Sequence, residues 1–217
     1  MKTIWMPIAL VLILGSTGCN NSLGYNFQEA MGTPKRQVLL SRVQDTRDAM
    51  KDTKKTFASA MQQFGSVYKE SGSKLENKYV ILKKEYETCN SKASELRSQI
   101  ASVKSIGQVL FQEWQKELDQ FTNEQMRKLS EVKMQQTREK YVTMTESMDR
   151  VSARITPVMA SMSDQLLNIK HSLNALIVVS LEEELVQLRG HMDSLMAEID
   201  ASVNHCNAFI GSMAEPK

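Results

Sequence analysis

Few residues in this chain have a type and spacing suited to chemistry. Cys89 and Cys206 are the cysteines left once Cys19 is set aside, and two cysteines in an oxidising compartment raise the question of a disulfide. A bridge needs Cα atoms within roughly 7 Å of each other. Counting through the turns between the expected helices places Cys89 beside about Pro157 and Cys206 beside about Met148, an axial offset of roughly 13 Å. Two buried thiols packed as small apolar side chains fit that offset better; the register leaves the bridge open. His171, His191 and His205 fall on two antiparallel helices and do not converge, so no metal and no other cofactor is expected. Met192 beside His191 is the one pairing that copper could use, and the methionines of this half otherwise read as flexible core filler. Glu182-Glu183-Glu184 opens a helix, where the helix dipole favours negative charge. There is no nucleophile elbow, glycine-rich phosphate loop or His-x-x-Glu-His motif, so no catalytic residue and no small-molecule substrate is expected.

Cys19 has a different context. Lys2, an apolar run from Ile4 to Leu14 and then Gly15-Ser16-Thr17-Gly18-Cys19 make an export leader, with an apolar stretch too short to span a bilayer. The end of the leader resembles a bacterial lipobox, in which the cysteine is diacylated and becomes the new N-terminus; Ser16 stands where that motif usually has leucine. Ordinary cleavage after Gly18 is the alternative. Asn20 replaces the aspartate that would favour inner-membrane retention, so an outer-membrane anchor facing the periplasm is expected. Loss of the leader removes Lys2 and lowers the net charge of +2 by one. A near-neutral chain with interspersed signs lacks the basic footprint that nucleic acid demands, so no nucleic-acid partner is expected.

The rest of the chain reads as helices. From Leu75 through Leu82, Cys89, Leu96, Val103 and Leu110 to Trp114, apolar residues return every three or four positions, and a second run from Met134 to Leu173 answers it. Neither stripe is stable uncovered, so the two runs are each other's partners. Thr122-Asn123-Glu124-Gln125 reads as a capping box at a fold-over, the alternative being one unbroken helix. Strand signals are confined to Ala175–Val179.

The expected architecture is all-α: an elongated antiparallel helical bundle or coiled coil of four long helices with a two-helix tip. The leader covers 1–18, a lipidated N-terminus and flexible linker 19–32, and the bundle 33–212, with helices at about 34–69, 74–121, 123–174 and 180–211. Arg47 and Lys54 interrupt the stripe of helix one, and their heads are expected to reach carboxylates such as Glu85 or Glu87 on helix two. Helix one should cover Lys74 to about Gly107. The bare tip should run from about Gln108 to Val142, roughly 20 Å long, and carry Phe111, Trp114 and Phe121 as interaction residues. Pro157 should kink helix three.

Lys35-Arg36, Val43, Arg47, Phe57, Phe64, Thr122-Asn123, Thr137-Arg138, Tyr141, Pro157-Val158 and Lys170 to Ala175 together resemble an uncharacterised family of proteobacterial proteins classed as a domain of unknown function. The resemblance runs from about Tyr25 to Ile210 and implies an exported helical protein, many members carrying lipoprotein signals. It brings no catalytic residue set.

The expectation for function is a structural, scaffold or adaptor lipoprotein, tethered to the membrane by its lipid anchor and meeting an envelope protein or a copy of itself through coiled-coil contacts. A membrane-active protein using Leu176 to Val179 or the tip is the alternative, and an envelope sensor hinged at Pro157 a third reading.

Overall fold

The computed structural model describes residues 35–66, 73–175 and 182–213. Within them the chain forms four helices and no strand: α1 (Lys35–Gly65), α2 (Ser73–Leu118), α3 (Glu124–Ala175) and α4 (Glu182–Met213). The leader, Cys19, the linker, Tyr68, the Ser71-Gly72 turn and the Leu176–Val179 patch lie outside the described residues.

Each helix packs against its two neighbours in the cycle α1–α2–α3–α4–α1. The pairs are antiparallel. Lys35 pairs with Glu113 at one end of the α1–α2 edge, while Lys78 reaches Ser66 at the other. Lys104 meets Asp149 across α2–α3, Arg150 meets Glu198 across α3–α4, and Lys54 meets Asp200 across α4–α1. Exposed pairs of this kind contribute about 0–1 kcal/mol each, whereas one fully buried Leu, Ile, Met or Phe contributes about 1.5–3 kcal/mol. The apolar stripes therefore hold the bundle together, and the charged edges select its register.

The core runs from Val38 and Leu39 through Met50, Phe57 and Phe64 on α1, Leu82 to Ile106 on α2, Met144 to Ile169 on α3, and Leu185 to Met213 on α4. Threonines and serines take some inward positions, and most bond back to their own helix. Thr46 donates to the Arg42 carbonyl, Thr137 to that of Lys133 and Thr145 to that of Tyr141. Ser147 donates to the Met144 carbonyl, and its Oγ shares a hydrogen bond with the Ser202 hydroxyl of α4 at 3.1 Å, a buried polar layer in one seam.

Three expectations need correcting. Arg47 and Lys54 do not turn to Glu85 or Glu87: Lys54 reaches Asp200 and Arg47 reaches Asn207, because both positions lie on the flank of α1 that meets α4. The α3 cap is Asn123 and not a Thr122 capping box, since Asn123 Oδ1 accepts the free amides of Gln125 and Met126 at 3.0 and 3.1 Å. The bare tip is also shorter. The Lys35–Glu113 pair brings α1 level with Glu113, and Phe209 of α4 lies against Tyr141. Only Trp114 to Leu118 of α2 projects beyond, about 8 Å of helix.

Pro157 sits inside α3, which is helical on both sides of it. Proline at this position takes the amide from the Ala153 carbonyl. One turn away, Arg97 of α2 donates to the Ser152 carbonyl at 3.4 Å and to Thr156 Oγ1 at 3.0 Å, giving that stretch of α3 an outside partner.

Candidate functional site: the two ends of the bundle

The tip is built around a close approach of α2 and α3. A Cβ on Gly107 would lie 2.3 Å from Cε2 of Tyr141, so only glycine leaves room for that ring. Seated there, the Tyr141 hydroxyl donates to the Lys104 carbonyl at 3.1 Å, its ring meets Phe111 edge-on at 5.2 Å, and it touches Phe209 at 6.2 Å. Burial pushes the Tyr141 hydroxyl up to about 12. Tyr141 thus joins the four-helix region to a small second core of Phe111, Leu118 and Met134.

Phe111 was expected as an exposed contact residue, but it is 6% exposed and packs inside this second core. It stacks on Trp114 and lies under the Arg138 guanidinium, so it serves the tip's own packing. Trp114 is half-buried, its indole donating to Ser130 Oγ at 2.9 Å. Phe121 is the exposed member of the three, at 39%.

Other residues are the exposed ones. On α3, Met126, Leu129 and Val132 are 52%, 62% and 55% exposed, beyond the end of α4. At the opposite end of the bundle, Val80, Ile81, Leu167 and Val186 are exposed too. They share that end because Lys78 and Arg189 both approach the end of α1, at Ser66 and Gly65, while His191 meets Ser161 across α3–α4. Val142 alone stands between the two sets, and the two ends are separated by about 50 Å of α3. The sequence reading missed both sets because they lie off the seam, where isolated apolar residues look like ordinary surface.

The chemistry-bearing residues stay apart. Cys89 and Cys206 are buried free thiols, each pushed by burial up to about 12, far above the range in which a thiolate forms. His191 shares a hydrogen bond with Ser161, His171 is exposed, and His205 edges a shallow groove beside Phe209. Among the described residues no three His, Cys, Asp or Glu side chains gather as a metal site. Two open clefts flank the tip, one of about 570 Å³ beside Lys35 and Trp114, the other of about 740 Å³ beside Phe111 and Arg138. Neither gathers a nucleophile with a base. No helix among the described residues is long and apolar enough to cross a membrane.

A comparison with curated proteins returns no match. Residues 24–213 match the model of a family described as a protein of unknown function, so this four-helix chain belongs to the DUF2959 family.

Proposed function

We propose that this protein is a membrane-anchored scaffold or adaptor of the cell envelope, exported by its leader, acylated at Cys19 and held at the outer membrane facing the periplasm. It works through helix contacts with an envelope protein or with another copy of itself, and needs no catalytic residue. The observation that carries the reading is the distribution of exposed apolar surface. The long middle of the bundle seals its stripes, while large apolar side chains stand in water at its ends. The end bearing Val80, Ile81, Leu167 and Val186 lies away from Lys35, where the linker enters, and is the end we assign to the partner.

Photo-crosslinking in cells tests the assignment, with a reactive side chain at Lys83 and the substitutions Val80→Glu and Val186→Glu. The expected result is a discrete crosslinked species that the two substitutions abolish while helicity is kept. Crosslinks that persist unchanged would refute the contact. Labelling with an azide-bearing fatty acid tests the anchor, which predicts incorporation that Cys19→Ala removes.

A further inference from the structure

The topology brings the linker and the hairpin to the same end of the molecule. Lys35, the first residue of α1, pairs with Glu113, and together with Arg36 it lines a cleft with Trp114, Glu117 and Gln120, next to the α2–α3 turn. A chain anchored at Cys19 therefore holds the bundle from the hairpin end. The linker from Asn20 to Gly32 extends at most roughly 40 Å, and the tip projects only about 8 Å beyond Glu113.

The surface at that end has the composition of a lipid-facing one. Over most of its length α3 turns one face to α4, marked by Met144 and by Ser147, which bonds Ser202. α4 stops at Met213, and the same face continues uncovered along Gln125, Met126, Leu129, Val132, Lys133 and Gln136. At 3.6 residues per turn these side chains fill an arc of about 120° that holds one lysine and no carboxylate. Glu124, Glu131 and Glu139 lie outside it. Phe121 adds an exposed ring at the turn. Apolar side chains beside a lysine suit the boundary between acyl chains and anionic headgroups, where the stem lies along apolar matter and the ammonium group meets phosphate.

We infer that the uncovered α3 face at the tip, Met126, Leu129 and Val132 with Lys133, rests on the surface of an anionic bilayer, so that the bundle stands with its hairpin against the membrane and its opposite end outward. This inference rests on the anchored reading above, and it places the partner-binding end about one bundle length from the lipid.

The test uses the acylated protein reconstituted into vesicles of phosphatidylethanolamine and phosphatidylglycerol. An environment-sensitive fluorophore is attached at Leu129→Cys or, separately, at Val80→Cys, both exposed positions, the native Cys89 and Cys206 being buried. The expected result is a blue-shifted label at 129, quenched by brominated acyl chains, and a water-like label at 80. Lys133→Glu should lower the ratio of lipid-contacting to free label at least about fivefold, the factor expected for losing one lysine near an anionic surface. A water-like label at 129 on protein that floats with the vesicles overturns the tip contact and leaves the anchor standing. Protein that does not float overturns both. A blue shift at 129 that resists brominated lipid and grows with protein-to-lipid ratio assigns the face to a second copy and overturns the lipid contact.

Discussion

Gly107→Ala is the sharpest probe of how the tip is joined to the bundle. In an isolated helix the change stabilises by about 0.8–1 kcal/mol, because alanine is the better helix former. Here the new methyl would overlap the Tyr141 ring at Cε2, Cζ and the hydroxyl, all within 2.5 Å. The ring must leave, giving up its hydrogen bond to the Lys104 carbonyl, about 1 kcal/mol, and its edge contact with Phe111, about 0.5–1.5 kcal/mol. Forcing an extra methyl into a packed seam adds about 1–3 kcal/mol. These losses exceed the propensity gain, so Gly107→Ala should destabilise by about 1.5–4.5 kcal/mol, lowering the melting temperature by about 2–4 °C per kcal/mol. With Tyr141→Ala already in place the three atoms nearest the methyl are gone, and the same substitution should stabilise by about 1 kcal/mol. Denaturant unfolding followed by far-ultraviolet circular dichroism, run as a double-mutant cycle, reads both numbers. Stabilisation by Gly107→Ala in both backgrounds would refute the close approach of α2 and α3.

Other outcomes follow from the same geometry. Cys89 and Cys206 should resist thiol reagents in the native protein and react only on unfolding; rapid modification at neutral pH would contradict their burial. Their raised thiol values also set a pH dependence. The folded protein keeps these protons when the unfolded chain, with thiols near 9, has lost them, so stability is full below pH 9 and falls as pH rises toward 12. A melting temperature flat across that window would be inconsistent with it. Asn123→Ala should cost about 0.5–2 kcal/mol through two lost amide partners, while Asn123→Asp should keep most of the stability. Phe57→Ala, at a fully buried ring, should cost about 3–5 kcal/mol, and a double-mutant cycle on the exposed pair Lys104 and Asp149 no more than about 1 kcal/mol.

Much of the fold was legible before any coordinates. Leu82, Cys89, Leu96 and Val103 on α2, and Met134 at the start of the answering run on α3, read as inward from spacing alone, and all are buried. The reason is that a long helix has no stable state except with its apolar stripe covered. Ile106 and Met159 escape that spacing because a helix in a four-membered bundle buries a wider arc than a two-helix seam, and the extra positions depend on where the second neighbour lies. The helix cap was legible as a feature but not to the residue, since Thr122 and Asn123 carry equally suitable oxygens.

What sequence determined by itself is the element inventory: four amphipathic helices, breaks near Ser71 and Thr122, and a match to one family along residues 24–213. Tertiary structure decided the rest. It put Lys35 beside Glu113 and so set the start of α1 at the hairpin end, it turned Phe111 inward onto Tyr141, and it ended α4 short of Leu129. Periodicity reports which side of a helix is apolar, but only the register between helices determines where cover runs out. That register is selected by contacts such as the one between Gly107 and Tyr141, 34 residues apart in the chain.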